Sequence, residues 1–199
     1  MRLSNGSTLG PSDGCDAAAH DEAPRVVSLK RPQARDGLTL RAKRLDLSLL
    51  PEGILADLLV YWQDKRDGER LPGRADIDPL DFSWALGRLC LIEVLRNPLV
   101  FRYRLDGSLI ASHRRRDMTG RTTDEIKPLA LANILRKQYS EVVKSAAPGY
   151  FEVDAARDKI KATFAVLALP LAADGAKVDM LLVCALNTEP MHALCLNLE

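Results

Sequence analysis

The sequence predicts an α+β domain: a five-stranded antiparallel sheet with helices on one face and an N-terminal amphipathic helix on the other. Three observations carry this. Apolar residues follow helical spacing in some stretches and strand spacing in others, in the order helix, two strands, short helices, longer helix, three strands. Short turn signals join the strand candidates, which favours antiparallel pairing. FAVLAL and MLLVCAL are apolar at every position, so both faces of those strands need a cover.

Residues 1–43 are rich in Gly, Ser, Ala, Asp, Pro and Arg and poor in large apolar groups, and are predicted to be a disordered tail. Residues 44–68 are predicted to hold the amphipathic helix. Ile54, Leu55, Leu58, Leu59, Tyr61 and Trp62 recur at spacings of three and four, Pro51 suits a first helical turn, and Gly68 ends the run. Residues 69–187 form the folded domain. Leu89 to Arg96 reads as a strand, Asn97-Pro98 as a turn, and Val100 to Leu105 as a second strand. In that strand Phe101, Tyr103 and Leu105 share one face, and Arg102 and Arg104 the other. SLIASHRRRDMTGRTTDEIKP holds short helices and loops. A longer helix runs from about Pro128 to Ser145, with Leu131, Ile134, Leu135, Tyr139, Val142 and Val143 as its apolar side. Tyr150 to Ala155, Lys161 to Leu169 and Val178 to Leu186 are the last strands, with AADG at Ala172 to Gly175 as a hairpin turn. Residues 188–199 are predicted to be a peripheral tail.

A chain of 199 residues, 47% hydrophobic, has enough apolar material for one ordinary domain with appendages. A net charge of +1 argues against a nucleic-acid partner. No apolar run approaches the roughly 18 residues of a membrane span, and no apolar segment follows Arg2, so a cytoplasmic location is expected. Cys15, Cys90, Cys184 and Cys195 form no CxxC pair, and Cys90 and Cys184 lie in apolar runs, as buried free thiols do. There is no nucleophile elbow, P-loop, Rossmann fingerprint or HExxH, so no catalytic or metal-binding residue is assigned. The basic run His113 to Arg116, with Arg121 beyond it, reads as a solvated face rather than a phosphate site.

LPGRADIDPLDF at Leu71 to Phe82, then LCLIEVL, FRYRLDGSLI, DMTGR, and LALPLAADG with VDMLL, form an ordered set. It resembles a bacterial PAS subfamily with the pattern LPGR-x-DIDP…FRYRL-x-G…D-x-TGR…PL-x-x-DG, over Leu71 to about Leu186. Two positions depart from it: Ser108 stands where the pattern carries threonine, and Arg116 where it carries glycine. The resemblance implies a PAS fold and a signalling module without catalysis that binds a small ligand, a partner protein, or both. One alternative is a pure protein-interaction adaptor whose pocket is filled by its own side chains; a weaker one is an enzyme with an unrecognised site. A haem-binding member would carry a histidine on the long helix, and none stands between Leu129 and Ser145. The asparagine–cysteine–arginine–phenylalanine context of photoactive flavin domains is also missing, so no cofactor is expected.

On this reading Phe101, Tyr103, Ile134, Tyr139, Phe164, Val166, Met180 and Leu182 line a cavity between the sheet and the long helix. Arg74, Asp76 and Asp78 make a clasp that orients the N-terminal helix, the aspartates accepting backbone N–H bonds and Arg74 pairing with a carboxylate. Leu55, Leu58, Leu59, Tyr61 and Trp62 either pack on their own domain or form a homodimer face; a homodimer is expected, together with an unidentified signalling partner.

Overall fold

The computed structural model describes residues 37–195. Its frame is an antiparallel sheet of six strands in the order β1-β4-β5-β6-β2-β3. The strands are β1 (Thr39–Leu45), β2 (Leu89–Leu95), β3 (Val100–Asp106), β4 (Gly149–Arg157), β5 (Ile160–Leu171) and β6 (Met180–Leu186). The α+β class and the β2–β3 hairpin agree with the sequence, but the sheet has one strand more than the five predicted. TLRAKRL, partly assigned to the tail, pairs along β4 as an edge strand. It carries too few apolar side chains to announce itself, because an edge strand buries little and its charges discourage further pairing. The rest of the predicted tail, residues 1–36, lies outside the described residues.

Helix α1 (Ile54–Asp64) is shorter than the stretch predicted. A 3-10 turn at Leu47–Leu49, capped by the Asp46 carboxylate, comes first. Pro51 therefore precedes the Glu52–Gly53 turn rather than opening the helix, and Gly53 at φ 99° redirects the chain into it. Helix α2 (Ser108–Arg114) follows β3, and helix α3 (Leu129–Ser145) matches the long helix predicted.

The register sorts the doubly apolar strands. Val166 pairs with Ala185 and Ala168 with Val183, on the face toward α3. The alternate residues Leu167, Leu169, Leu182 and Cys184 point the other way and are also buried. That second face is covered by α1, whose Trp62 indole N–H donates to the Pro170 carbonyl at 2.9 Å. Leu55, Leu58, Leu59 and Trp62 are buried in the main core, with Tyr61 half-buried beside them. The expectation that these side chains pack against a second copy is thus corrected. The apolar stripe is consumed by the protein's own sheet, and what α1 turns outward is Val60, 54% exposed.

The LPGR and PL-x-x-DG segments meet. Leu71 N–H donates to the Gly175 carbonyl at 2.8 Å, and Ala172 N–H to the Pro72 carbonyl at 2.9 Å. Gly175 has φ 79°, a left-handed backbone that favours glycine; a Cβ there would stand 2.6 Å from Arg70 Nε, the far end of a side chain that can shift. Asp76 accepts from Gly73 N–H and Asp78 from Leu80 N–H, as the clasp requires. Arg74 differs from expectation: its Nη1 donates to the Ile77 carbonyl, since Asp76 and Asp78 are turned to backbone donors. The tie to α1 is Tyr61. Its hydroxyl accepts from Asp78 N–H at 3.0 Å and donates to Asp81 at 3.1 Å, while its ring packs edge-on against Phe82.

The described residues after β6, 187–195, are not peripheral. A short helix, α4 (Met191–Cys195), buries Met191 and Leu194 against Val153, Ala155 and Phe164. Thr188 bonds the His113 ring at 2.8 Å, Glu189 pairs with Arg88 at 3.7 Å, and Arg157 Nη1 donates to the Leu194 carbonyl.

Candidate functional site

Strand β3 begins in the predicted phase, with Phe101 and Tyr103 buried. The phase then changes. Ile92 pairs with Tyr103 but Leu91 pairs with Leu105, so Arg104 is an extra residue on one side of the ladder. This bulge turns Leu105 outward, against expectation, and swings Asp106 into the interior. Gly107 then lets α2 start close to the sheet: a Cβ there would meet the Gly87 and Leu89 carbonyl oxygens at 2.6 Å.

Three donors converge on Asp106. Arg114 Nη1 lies 2.7 Å from Oδ2, Met118 N–H donates to Oδ2 at 3.0 Å, and the Cys90 thiol donates to Oδ1 at 3.3 Å. The Arg114 side chain is 8% exposed and that of Asp106 0%. The basic run His113 to Arg116 is therefore not one solvated face. The last turn of α2 points Arg114 inward, while Arg115, in a left-handed conformation, and Arg116 stay outside. The D-x-TGR segment has a structural part: Asp117 accepts from Thr119 N–H, and Gly120 and Arg121 bond the backbone of Tyr103 along the β3 edge. It thereby holds Met118 over the ion pair.

The Arg114 guanidinium lies 5.6 Å from the Tyr103 ring centroid, and Phe101 packs edge-on against Tyr139 of α3. Burial pushes the Tyr103 and Tyr139 phenols and the Cys90 thiol above their ordinary pKa values. For Arg114, burial opposes the charge but is outweighed by Tyr103 and Asp106, and its pKa rises. The cluster at neutral pH is a neutral thiol, neutral phenols and one compensated ion pair.

Of this cluster, Cys90, Tyr103, Arg114 and Tyr139 line a cavity of about 50 Å³ between α3 and the sheet. Of the predicted lining, Tyr103, Tyr139, Phe164 and Val166 are present. Phe101 faces the same side, one contact removed, against Tyr139. Ile134 packs instead on the neighbouring apolar cluster with Leu194. Met180 and Leu182 belong to the opposite face; Val183 and Ala185 line the cavity in their place. MLLVCAL is apolar throughout, so its pattern contains no phase. Cys90, Arg114 and Met191 were not foreseen, and the only hint was an aspartate–glycine pair ending a strand. Among the described residues no cluster of three or more His, Cys, Asp or Glu is placed to hold a metal ion.

The α+β fold with its antiparallel sheet agrees with what comparison finds: the PAS domain model matches residues 53–185. The chain belongs to the PAS domain family, a class of sensory and interaction modules. No curated protein and no solved structure matches it. Among the described residues no helix is long and apolar enough to cross a membrane.

Proposed function

We propose that the chain is a non-catalytic PAS signalling module of the cytoplasm that takes a small ligand into the cavity between α3 and the sheet and passes its state to a partner protein. The observation that carries this is Arg114, paired with buried Asp106, as the charged side chain lining an otherwise mainly apolar cavity. A core built only to fold gains little from such a pair, because apolar residues of similar volume serve as well or better. A polar pole in an apolar pocket is what orients a ligand. The absence of catalysis fits the protonated Cys90 thiol and the neutral phenols, none of which is activated as a nucleophile or base. Free Cys90 and Cys184 fit a reducing compartment.

A cavity of about 50 Å³ supports a second reading, in which side chains fill the pocket and the module works by protein contact alone. A homodimer remains part of the proposal, with its surface away from the buried stripe of α1. Native mass spectrometry of the freshly purified chain tests the two readings. A bound mass lost on denaturation supports the ligand reading; a bare chain, with no stabilisation by any member of a metabolite panel, supports the adaptor. Sedimentation over a concentration series reads the dimer, and a monomer throughout removes it.

A further inference from the structure

We propose that residues 187–195 are a displaceable plug in this cavity, and that the ligand replacing it is a neutral, mainly apolar molecule with one carbonyl acceptor; this rests on the ligand reading above. The plug follows from how space is divided. Beside the cavity of about 50 Å³ lies a second void of about 10 Å³. Leu131, Phe164 and Met191 border both. Leu131 and Phe164 belong to α3 and β5, which are fixed in the frame; Met191 belongs to the segment after the last strand. Its side chain is a flexible filler of irregular space. Withdrawing it joins the two voids and adds its own volume, toward the roughly 150 Å³ that holds one aromatic ring. The polar contacts of the segment are few: buried Thr188 to His113, Leu194 carbonyl to Arg157, and Glu189 to Arg88, the last exposed enough for water to replace it.

The ligand chemistry follows from the cavity's polar pole. Both Asp106 oxygens already accept bonds, from Cys90, Arg114 and Met118. Arg114 gives one hydrogen bond to Asp106 among the described residues, and a guanidinium has five N–H donors. It also lines the cavity. The pole therefore offers donors and calls for an acceptor. Charge decides which kind. Asp106 already neutralises Arg114, so a ligand carboxylate would leave an uncompensated negative charge in an apolar space, whereas a ketone, ester or amide carbonyl adds none.

Acetophenone, benzoate and ethylbenzene have nearly the same shape and separate these cases. Each is titrated by calorimetry into the full chain and into Met191→Ala. The variant should bind acetophenone roughly 10-fold tighter than the wild type does, and roughly 10-fold tighter than it binds either other probe, one good hydrogen bond being worth that factor. In the wild type, acetophenone should speed amide exchange at Met191–Leu194, which keeps the plug testable if the variant does not fold. Exchange there that is unchanged or slowed at saturation overturns the plug. Equal binding of ethylbenzene, or binding of benzoate as tight as that of acetophenone, overturns the carbonyl ligand while leaving a ligand cavity. Failure of both proteins to bind any probe at millimolar concentration removes the ligand reading itself.

Discussion

Arg114 Nη1 stands 2.7 Å from Asp106 Oδ2 with both side chains withdrawn from solvent, although Arg115, the next residue, is exposed. A single bulged residue, Arg104, makes this possible by shifting Asp106 onto the inner face. Arg114→Met alone strands a carboxylate in the interior and should cost about 3–5 kcal/mol, with much of that recovered when Asp106→Leu is added. Urea denaturation of the two variants checks this. A single variant as stable as the double would mean that the pair is not coupled.

The two sides of α1 should respond oppositely to charge. Leu58 is 0% exposed and Val60 is 54% exposed. Leu58→Asp buries an unpaired charge and should abolish cooperative unfolding or leave the chain insoluble. Val60→Asp should change stability by less than about 0.5 kcal/mol. Circular dichroism with thermal melts distinguishes them, and a folded, stable Leu58→Asp would remove α1 from the core.

Two motif glycines differ in why they are glycine. At Gly107 a Cβ collides with two backbone carbonyls, whereas at Gly120, φ 82°, nothing lies within 4 Å. Gly120→Ala should cost about 1–2 kcal/mol, the strain of a left-handed alanine. Gly107→Ala should cost more, because neither colliding carbonyl can rotate away as a side chain would. Equal midpoints in denaturant would contradict the close approach of α2 to β2.

Alkaline stability has a defined sign. Burial lifts the Cys184 thiol from an ordinary 9.0 to about 12. Above pH 9 the unfolded chain releases this proton and the folded chain keeps it, so the contribution is complete below pH 9 and drains away toward pH 12. Cys184→Ala should flatten the fall in stability across that window, measured by urea unfolding at several pH values. An unchanged slope would place the alkaline loss elsewhere, for example at Cys90 and Tyr103, which shift the same way.

The α3 helix and the β2–β3 hairpin were legible because period and turn residues agreed there. So was the need for a cover on β5 and β6, since seamless apolar runs imply two buried faces. The orientation of Met180 and Leu182 was not, for the same reason: a run without polar positions has no phase. Strand β1 escaped because hydrogen bonds to β4, rather than its own side chains, hold it. Arg114 escaped because a local charge run looks alike whether or not some of its members turn inward. Residues 188–195 looked dispensable because two buried apolar side chains, Met191 and Leu194, make no visible period.

The strand order has a consequence for synthesis. Strand β6 lies between β5 and β2, so it alone joins the β2–β3 hairpin to the β1-β4-β5 half. On the ribosome the hairpin is made early, yet its neighbour in the sheet is the last strand to emerge. Until then β2 has an unpaired edge and the apolar faces of both halves are incomplete, a state open to wrong association. The charged Glu93 and Arg102, paired across that hairpin at 2.6 Å, help keep the waiting edge soluble. A nascent chain stalled before Met180 should therefore remain sensitive to protease, and one released after Leu186 should become resistant in a single step.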